Sequence, residues 1–181
     1  GAQSKSFNLV KIGQNSDSTV SGNIFATTTQ FQGNKILSFS DGSSVTGAVD
    51  TTVGGNGTLQ FQGGGQVSGN IGNAAPLGLI SLNSLGGTKT IELDGTVIKA
   101  NAINIVGDGA NPTTLLLNSP GAMALTGDIT TQGNFIDTLN VVNAGVTTIV
   151  GNLGGIGHGF NLIQIGENAD INITGNIFAK L

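Results

Sequence analysis

The single histidine of the chain is the first residue whose chemistry could indicate a function. His158 lies in a glycine-rich segment that runs from Gly154 to Gly159. A Gly-His-Gly tripeptide also occurs in polygalacturonases, β-helical enzymes that use it together with a cluster of aspartates and an Arg-Ile-Lys element. This chain contains no Arg and no adjacent pair of aspartates. We therefore interpret the segment around His158 as a turn.

The carboxylates include one pair whose spacing fits catalysis. Glu92 and Asp94 are two residues apart, so a β-strand would place both on one face, about 6–7 Å from each other. Glycosidases use two carboxyl groups about 5–10 Å apart, but most such pairs belong to a solvated surface. Asp17 and Asp170 recur at equivalent places of a repeat, which a turn-forming role explains. The remaining carboxylates are Asp41, Asp50, Asp108, Asp128, Asp137 and Glu167. We predict no catalytic residue.

Motifs that would hold a cofactor or a metal are incomplete or missing. The segment from Gly54 to Leu59 resembles a calcium-binding repeat, but it lacks the aspartate ligand that this repeat needs. The chain has no phosphate-binding glycine motif. It also has no Cys, which excludes disulfides, a thiolate zinc site and a cysteine nucleophile. The sequence predicts no cofactor and no bound metal.

The composition excludes several classes of protein. Only 9% of the 181 residues are charged, 31 are Gly, and 38% are apolar, which is enough to form a core. Six Lys, no Arg and a pI near 4.5 argue against a nucleic-acid partner. No run of about 20 apolar residues could form a membrane-spanning helix. The first residues do not resemble a signal peptide, so we expect a mature or excised segment.

The two ends of the chain are copies of each other. FNLVKIGQNSDSTVSGNIFA at residues 7–26 aligns without a gap with FNLIQIGENADINITGNIFA at residues 160–179, and 12 of the 20 positions are identical. A shorter motif, apolar-x-Gly-x-apolar, recurs between the ends. Its glycines are Gly22, Gly47, Gly69, Gly95, Gly127, Gly151 and Gly175.

These repeats predict an all-β fold. Short stretches of alternating apolar residues separated by Gly, Asn, Asp and Ser are typical of strands and turns. Units of 22–26 residues favour a right-handed parallel β-helix of about 7–8 coils, in which each glycine motif stacks on the one before it. The spacing of 32 residues between Gly95 and Gly127 is interpreted as a loop inserted near residues 98–124. A β-sandwich is the alternative, but its strands need not be copies of one another.

The motif also predicts which side chains point inward. Alternate residues of a strand share a face, so Val20, Gly22 and Ile24 would point into the core and Ser21 and Asn23 outward. An inward glycine would thin the wall or leave room for a bulky neighbour. Outward Ser, Thr and Asn side chains would stack along the axis and hydrogen-bond to each other.

With these motifs, the chain resembles the passenger domains of bacterial autotransporters, and most closely the rickettsial surface-cell-antigen group that includes outer membrane proteins A and B. The Val/Ile-x-Gly-Asn-Ile units, the segment from Asn101 to Gly109 and the lack of Cys are the basis of the resemblance. It implies residues 1–181 are one solenoid segment of an exported passenger on the extracellular side of the outer membrane. The family's carboxy-terminal membrane barrel would lie outside this segment.

The resemblance further implies a non-enzymatic, monomeric adhesin or surface antigen that binds a host-cell protein or glycan. Loops between strands would make the contact. The candidates are Gly63–Gly65, Gly107–Pro112 and Gly154–Gly159. Two alternatives stay open, namely a structural spacer of a surface filament and a β-helical polysaccharide lyase or hydrolase.

Overall fold

The protein consists of β-strands and the turns between them. The structure is a computed structural model, and it describes residues 1–84, 86–107, 110–132 and 135–180. Over these residues it contains sixteen strands and no helix. The strands are β1 (Phe7–Ile12), β2 (Ser18–Val20), β3 (Ile24–Phe31), β4 (Ile36–Phe39), β5 (Ser43–Thr51), β6 (Thr58–Phe61), β7 (Gly65–Ser68), β8 (Leu77–Asn83), β9 (Lys89–Leu93), β10 (Val97–Val106), β11 (Thr113–Leu117), β12 (Met123–Thr131), β13 (Thr138–Val141), β14 (Val146–Val150), β15 (Leu162–Ile165) and β16 (Asp170–Thr174).

The strands form parallel ladders along one axis. One eight-stranded sheet has the order β1-β3-β5-β7-β9-β11-β13-β15, and the other has the order β2-β4-β6-β8-β10-β12-β14-β16. Every pairing between these strands is parallel. The predicted parallel β-solenoid is therefore confirmed.

The pairings, followed residue by residue, give each coil three faces. Face 1 is the row Val10, Thr29, Val49, Ile71, Ile98, Leu125, Ile149 and Ile173. Face 2 is the row Ser18, Leu37, Leu59, Ile80, Ile103, Ile129, Leu153 and Ile177. Face 3 is the row Ile24, Val45, Val67, Leu93, Leu117, Val141 and Ile165. The chain passes from face 1 to face 2, then to face 3, and returns to face 1 one level along the axis.

The core lies inside these three rows. Leu59, Val67 and Ile71 belong to one coil, one on each face, and all three are buried completely. Phe39 and Phe61 stack on each other along face 2 with ring centroids 5.3 Å apart. Alternation of apolar and polar residues along short strands is sufficient to form such a core, because each face needs only one or two inward residues per coil.

The longest strands bend around corners of the solenoid. The pairing of β3 with β5 shifts between Phe25 and Thr28, and that of β10 with β12 shifts between Lys99 and Ala102. Each shift lies opposite a motif glycine, Gly47 in β5 or Gly127 in β12. A bulge of this kind bends a strand and increases its twist, so one strand can contribute to two faces.

The glycine motifs do not stack in one series, which corrects the prediction. Gly47, Gly69 and Gly95 form one ladder at the corner between faces 3 and 1. A second ladder is formed by Gly127, Gly151 and Gly175 at the corner between faces 1 and 2. Gly22 lies alone at the third corner, between Val20 on face 2 and Ile24 on face 3.

The reason for glycine at these corners is also different from the predicted one. A Cβ atom built on Gly69 would lie 2.4 Å from the carbonyl oxygen of Gly47, and one on Gly151 would lie 2.3 Å from that of Gly127. A side chain at these positions would therefore point along the axis and collide with the backbone of the coil below. It would not point into the core. Glycine is required because adjacent coils approach closely at these corners.

The inward positions of one motif shift by a residue. In the motif around Gly95, alternation from Leu93 would place Val97 in the core, but Ile98 is the fully buried residue there, and it pairs with Ile71. In the second and third motifs the prediction is confirmed, because Val45, Val49, Val67 and Ile71 are completely buried.

The spacing of 32 residues between Gly95 and Gly127 has a geometric origin. These two glycines lie at different corners, so the interval contains one full turn and one additional face. Leu93 and Leu117, which stack directly on face 3, are separated by 24 residues. The spacing therefore gives no evidence for a loop inserted near residues 98–124. Asp108 and Gly109, within that interval, lie outside the described residues.

The two end repeats occupy different faces. Val10 lies on face 1, whereas the aligned Ile163 pairs with Leu139 in the strands of face 3. Ile24 lies on face 3, and its counterpart Ile177 lies on face 2. The two similar 20-residue repeats thus occupy the coil with a shift of one face, which is possible because the faces share the same alternation of apolar and polar residues.

Candidate functional site

The corner between faces 2 and 3 holds a row of loops that we call the loop edge. It consists of the described residues within the segments 40–42, 62–64, 84–88, 107–112, 132–137 and 154–161, which connect successive face 2 strands to face 3 strands. The three loops chosen from the sequence, Gly63–Gly65, Gly107–Pro112 and Gly154–Gly159, all lie on this edge. Of these, Asp108 and Gly109 are outside the described residues.

Hydrogen bonds connect the first three loops of the edge. The backbone N–H of Gly64 donates to Oδ1 of Asp41 at 2.7 Å. The ammonium group of Lys89 forms an ion pair with Oδ2 of the same carboxylate. These contacts hold the pKa of Asp41 below its ordinary value, the hydrogen bond from Lys89 being the main cause. A Cβ atom on Gly63 would lie within 2.7 Å of the Asp41 side chain, so the loops are closely packed.

The following loops are connected in the same way. The Ser84 hydroxyl donates to the carbonyl oxygen of Asn111 at 2.9 Å. The N–H of Lys89 donates to the carbonyl oxygen of Pro112 at 3.3 Å. The N–H of Asn161 donates to the carbonyl oxygen of Asp137 at 2.9 Å. Each loop is thus held by contacts with its neighbours along the axis.

Asp137 is a buried carboxylate beneath this edge. Its relative exposure is 0%. Its Oδ1 accepts a hydrogen bond from the N–H of Thr113 at 2.9 Å. Among the residues that the structure describes, its Oδ2 and the Thr113 hydroxyl have no hydrogen-bond partner. Burial raises the pKa of Asp137, and the bond from Thr113 opposes this shift only in part.

The segment around His158 is the last loop of the loop edge in chain order. Gly155 and His158 exchange two backbone hydrogen bonds, of 2.9 and 3.0 Å, which close a two-residue hairpin with Ile156 and Gly157 at its tip. The predicted turn is therefore confirmed. His158 is exposed, and Ile156 is 89% exposed.

Glu92 and Asp94 lie away from the loop edge. Oε1 of Glu92 accepts a hydrogen bond from the Asn118 amide at 2.7 Å, and Oδ2 of Asp94 accepts one from the Gln66 amide at 3.2 Å. Burial raises the pKa of Asp94, and the nearby charge of Glu92 adds to this effect. Both carboxylates are thus bonded to neighbouring amides on the outside of face 3.

A shallow cleft of about 370 Å³ adjoins Asp94 at the corner between faces 3 and 1. Its lining includes the bare backbone of Gly69 and Gly95, the side chains of Asn70 and Thr96, and the ring of Pro120. Oδ1 of Asn70 accepts hydrogen bonds from the hydroxyl of Thr96 and the N–H of Val97. The cleft can offer hydrogen bonds to a small polar molecule, but His158 lies at a different corner and does not contribute to it.

Three further carboxylates accept hydrogen bonds at turns and corners of the solenoid. Oδ1 of Asp17 accepts from the N–H of Ile36 at 2.9 Å, and Oδ1 of Asp50 accepts from the N–H of Ala74 at 2.9 Å. Oδ1 of Asp128 accepts from the N–H and the amide of Asn152. Asn152 forms the same two bonds with Asn176, so the predicted axial stacking of Asn side chains is confirmed at this corner. No group of three or more His, Asp or Glu side chains capable of holding a metal ion occurs among the described residues.

Sequence reasoning did not identify three loops of the edge, namely residues 40–42, 84–88 and 132–137. Residues 84–88 contain Gly86 and Gly87, and both have a positive φ. A Gly-Gly pair is a turn signal, so this loop could have been identified. Residues 132–137 contain Phe135, which has φ of 58°. No sequence signal indicates this conformation, which bulky residues rarely adopt.

Comparison with known proteins gives one informative similarity. The chain is 32% identical over 165 residues to outer membrane protein A of Rickettsia rickettsii, and the match covers 87% of this chain and 7% of that protein. The chain therefore corresponds in length to a small part of its relative. No family model matches the chain, and no solved structure matches it. Within the described part of the chain, no helix is long and apolar enough to span a membrane. The resemblance to rickettsial surface proteins is supported, whereas the match carries no information on the autotransporter class.

Proposed function

We propose that this chain, similar to part of a rickettsial outer membrane protein, is a non-enzymatic passenger segment of an autotransporter. It would lie on the extracellular side of the bacterial outer membrane and act as an adhesin or surface antigen. Its loop edge would contact a protein or glycan of the host-cell surface. The similarity to the Rickettsia protein supports the location, and the geometry of the loops supports the contact surface.

The observation that carries this proposal is the alignment of the loops on one edge. Six successive coils present the described parts of the loops 40–42, 62–64, 84–88, 107–112, 132–137 and 154–161 at the same corner. With a spacing of about 4.8 Å between coils, this row is about 24 Å long. Binding residues are commonly found on loops held by a rigid scaffold, and a continuous row offers a larger contact area than any single loop.

The rest of the solenoid has the properties of a scaffold. At the corner opposite face 3, Asp128, Asn152 and Asn176 bond to each other along the axis without a salt bridge. The ion pair between Lys89 and Asp41 is the salt bridge found among the described residues. A regular, weakly charged shaft can display loops at a fixed spacing in environments of different ionic strength, because few of its contacts are screened by salt.

The enzymatic alternative receives little support from the site geometry. Glu92 and Asp94 accept hydrogen bonds from Asn118 and Gln66, and His158 lies at another corner of the solenoid. Catalysis by a carboxylate pair requires both groups to face a substrate between them. We expect Asp94→Asn to leave the attachment of the chain to cultured cells unchanged.

A structural spacer is the second candidate, and one observation favours it. Aligned residues of the two end repeats lie on different faces of the same shaft. A coil sequence that fits more than one face suits a long uniform rod. A spacer would hold an adhesive region elsewhere in the protein at a distance from the membrane and would not itself bind cells.

Attachment of the isolated chain separates these candidates. Fluorescently labelled chain is incubated with cultured mammalian cells, with and without excess unlabelled chain. An adhesin gives saturable binding that the unlabelled chain competes away. A spacer gives only a linear, non-competed signal, and that result would contradict the proposed function.

A further inference from the structure

The glycine ladder of Gly47, Gly69 and Gly95 ends in the middle of the solenoid, at the corner between faces 3 and 1. A Cβ atom on Gly95 would lie 2.2 Å from the carbonyl oxygen of Gly69, so the coils are in close contact up to this level. The next coil crosses the corner through residues 118–122, and a Cβ atom on Gly121 would meet nothing within 4 Å. The shallow cleft of this corner lies at the end of the ladder. Further coils lie on both sides of it along the axis, so the cleft does not result from the end of the chain.

The cleft carries negative charge that no cation of the protein compensates. Asp94 lines it, and Glu92 lies two residues away in the same strand, β9. The adjacent strands β7 and β11 contain no charged residue. The ion pair found among the described residues joins Lys89 to Asp41, so neither Glu92 nor Asp94 has a cationic partner. A cation placed in the cleft would therefore be attracted by both carboxylates.

The burial of Asp94 shows that its charge is poorly solvated. Burial raises the pKa of Asp94 above its ordinary value, and the repulsion from Glu92 adds to the shift. Oδ2 of Asp94 accepts a hydrogen bond from the neutral amide of Gln66 at 3.2 Å, which does not supply a counter-charge. A carboxylate in this situation gains most from a ligand that donates charge-assisted hydrogen bonds.

A second polar group of the cleft is oriented to accept hydrogen bonds. The hydroxyl of Thr96 donates its proton to Oδ1 of Asn70 at 3.2 Å, so it presents only lone pairs to a ligand. The same oxygen of Asn70 accepts from the N–H of Val97 at 3.0 Å, which fixes the orientation of the amide. The carboxylate and the hydroxyl therefore both favour a ligand that is rich in hydrogen-bond donors.

The size and lining of the cleft favour an organic cation over a metal ion or a sugar. Its volume of about 370 Å³ is within the range of about 300–1,000 Å³ that is common for sites of small organic ligands. A hydrated ion would be loosely held there, because a single carboxylate lines the cleft. No aromatic ring is present for stacking against a sugar, but the ring of Pro120 forms one wall.

Among organic cations, a guanidinium group matches these features best. It is planar, it carries five N–H donors in a fixed fork, and it pairs with a carboxylate through two parallel hydrogen bonds. It is also more weakly hydrated than an ammonium group, so it loses less solvation in an open cleft. The chain contains no Arg, and the occupant must therefore belong to another molecule.

We propose that this cleft is a binding site for an arginine side chain of another protein. The carboxylate of Asp94 would accept two parallel hydrogen bonds from the guanidinium group, and the hydroxyl of Thr96 would accept a third. The flat face of the group would pack on the ring of Pro120. Arg is one of the residues that most often anchor protein interfaces. The site lies at a different corner from the loop edge, and the inference does not rest on the proposed function.

The test compares Asp94→Asn with a matched control, Asp128→Asn. Each substitution removes one carboxylate charge and keeps an oxygen that can accept hydrogen bonds. Asn152 already forms, one coil further along, the two bonds that Asp128 forms with its neighbour, so Asp128→Asn preserves the corner between faces 1 and 2. Two-dimensional ¹H–¹⁵N NMR spectra of the whole chain establish that both variants fold as the parent does.

The probes are tripeptides blocked at both ends, Gly-Arg-Gly, Gly-Lys-Gly and Gly-citrulline-Gly, together with methyl glucoside. Citrulline has the shape of arginine without its charge. Each probe is titrated into the ¹⁵N-labelled chain, and the backbone N–H signals of Gly69, Gly95 and Thr96 report on the cleft. Cell attachment of the same variants is measured in parallel.

We expect Gly-Arg-Gly to shift these three signals in a saturable manner and to bind more tightly than Gly-Lys-Gly. The citrulline peptide and the glucoside should bind at least about tenfold more weakly, because they lack a charge-assisted hydrogen bond. Asp94→Asn should weaken the binding of Gly-Arg-Gly by a similar factor, and Asp128→Asn should bind as the parent does. Cell attachment should be the same for all three proteins.

Three results would overturn the inference. These are the absence of a saturable shift with Gly-Arg-Gly, equal binding of any other probe, and equal binding of Gly-Arg-Gly by Asp94→Asn and the parent. None of them bears on the proposed function, which fails only if the parent chain shows no saturable attachment to cells.

Discussion

Two ladders of glycine determine how closely adjacent coils approach at two corners. In each ladder a Cβ atom built on one glycine would lie within 2.4 Å of the carbonyl oxygen of the glycine below it, for example Gly69 over Gly47 and Gly175 over Gly151. A methyl group at such a position has no space, because the obstacle is backbone and cannot rotate away. The motif glycines are thus required for stacking, and their frequency in the sequence reflects contacts between coils.

Gly69→Ala tests this explanation against a glycine in open space. The new Cβ atom would lie 2.4 Å from the Gly47 carbonyl oxygen, whereas a Cβ atom at Gly121 meets nothing within 4 Å. We expect Gly69→Ala to lower the free energy of unfolding by about 3 kcal/mol, as overpacking does. Gly121→Ala should change it by less than about 1 kcal/mol. Urea unfolding followed by circular dichroism measures both, and equal effects would show that the ladder glycines are not sterically required.

Asp137 gives the protein a stability that depends on pH. Its pKa in the folded state is raised by burial above the ordinary value of 3.8. The folded state therefore binds a proton more readily than the unfolded state does, so this group lowers stability as pH rises through the folded pKa. Below the ordinary pKa both states are protonated, and the penalty is absent.

Asp137→Asn removes the buried charge and should abolish this penalty. An amide oxygen can still accept from the N–H of Thr113, and a neutral amide costs less to bury than a carboxylate. We expect the variant to be more stable than the parent by about 1 kcal/mol at pH 7, with a smaller difference at pH 4. Thermal unfolding at several pH values measures this. A variant less stable than the parent at pH 7 would contradict the assignment.

At the scale of elements, the sequence is sufficient to predict the strands but not their positions in the coil. Alternation of apolar residues identifies the strands around Val45, Val67 and Leu139, because each strand has one buried side. It cannot assign a strand to a face, since all three faces have the same pattern. For this reason Gly95 and Gly127 look like successive rungs in the sequence although they lie at different corners.

The same limit applies to the loop edge. Glycine clusters identify Gly63–Gly65 and Gly154–Gly159 as loops, but only the stacking of coils shows that they lie on one edge. The burial of Asp137 results from contacts between adjacent coils, such as the hydrogen bond from the N–H of Thr113. Such contacts join residues more than twenty positions apart, which local patterns do not encode.

Engineered disulfides test the assignment of faces, and the absence of native Cys makes the test simple. Lys99 pairs with Thr126 in adjacent strands, so their Cα atoms are separated by about 5 Å, within the range of a disulfide. We expect Lys99→Cys with Thr126→Cys to form a disulfide within the chain under mild oxidation. Asp94→Cys with Thr126→Cys, which would be neighbours if all glycine motifs stacked, should stay reduced. The reverse result would contradict the three-face arrangement.

At the scale of the whole molecule, the three corners of the solenoid carry different surfaces. The corner between faces 2 and 3 holds the loop edge, while Val53 and Gly121 belong to the other two corners. Each coil adds about 4.8 Å to the shaft and one more loop to the edge. Under the proposed function, a partner that approaches this corner from the side contacts several loops at once.

Selective blocking of each corner tests this claim most directly. Single cysteines at Thr88 on the loop edge, at Val53 and at Gly121 are each coupled to a polyethylene glycol chain, and attachment to cultured mammalian cells is measured for each conjugate. Uncoupled cysteine variants serve as controls for the substitutions. We predict that the polymer at Thr88 abolishes attachment and that the polymer at Val53 or Gly121 leaves it unchanged. Equal loss at all three corners, or loss at Val53 or Gly121 alone, would contradict the loop edge as the contact surface.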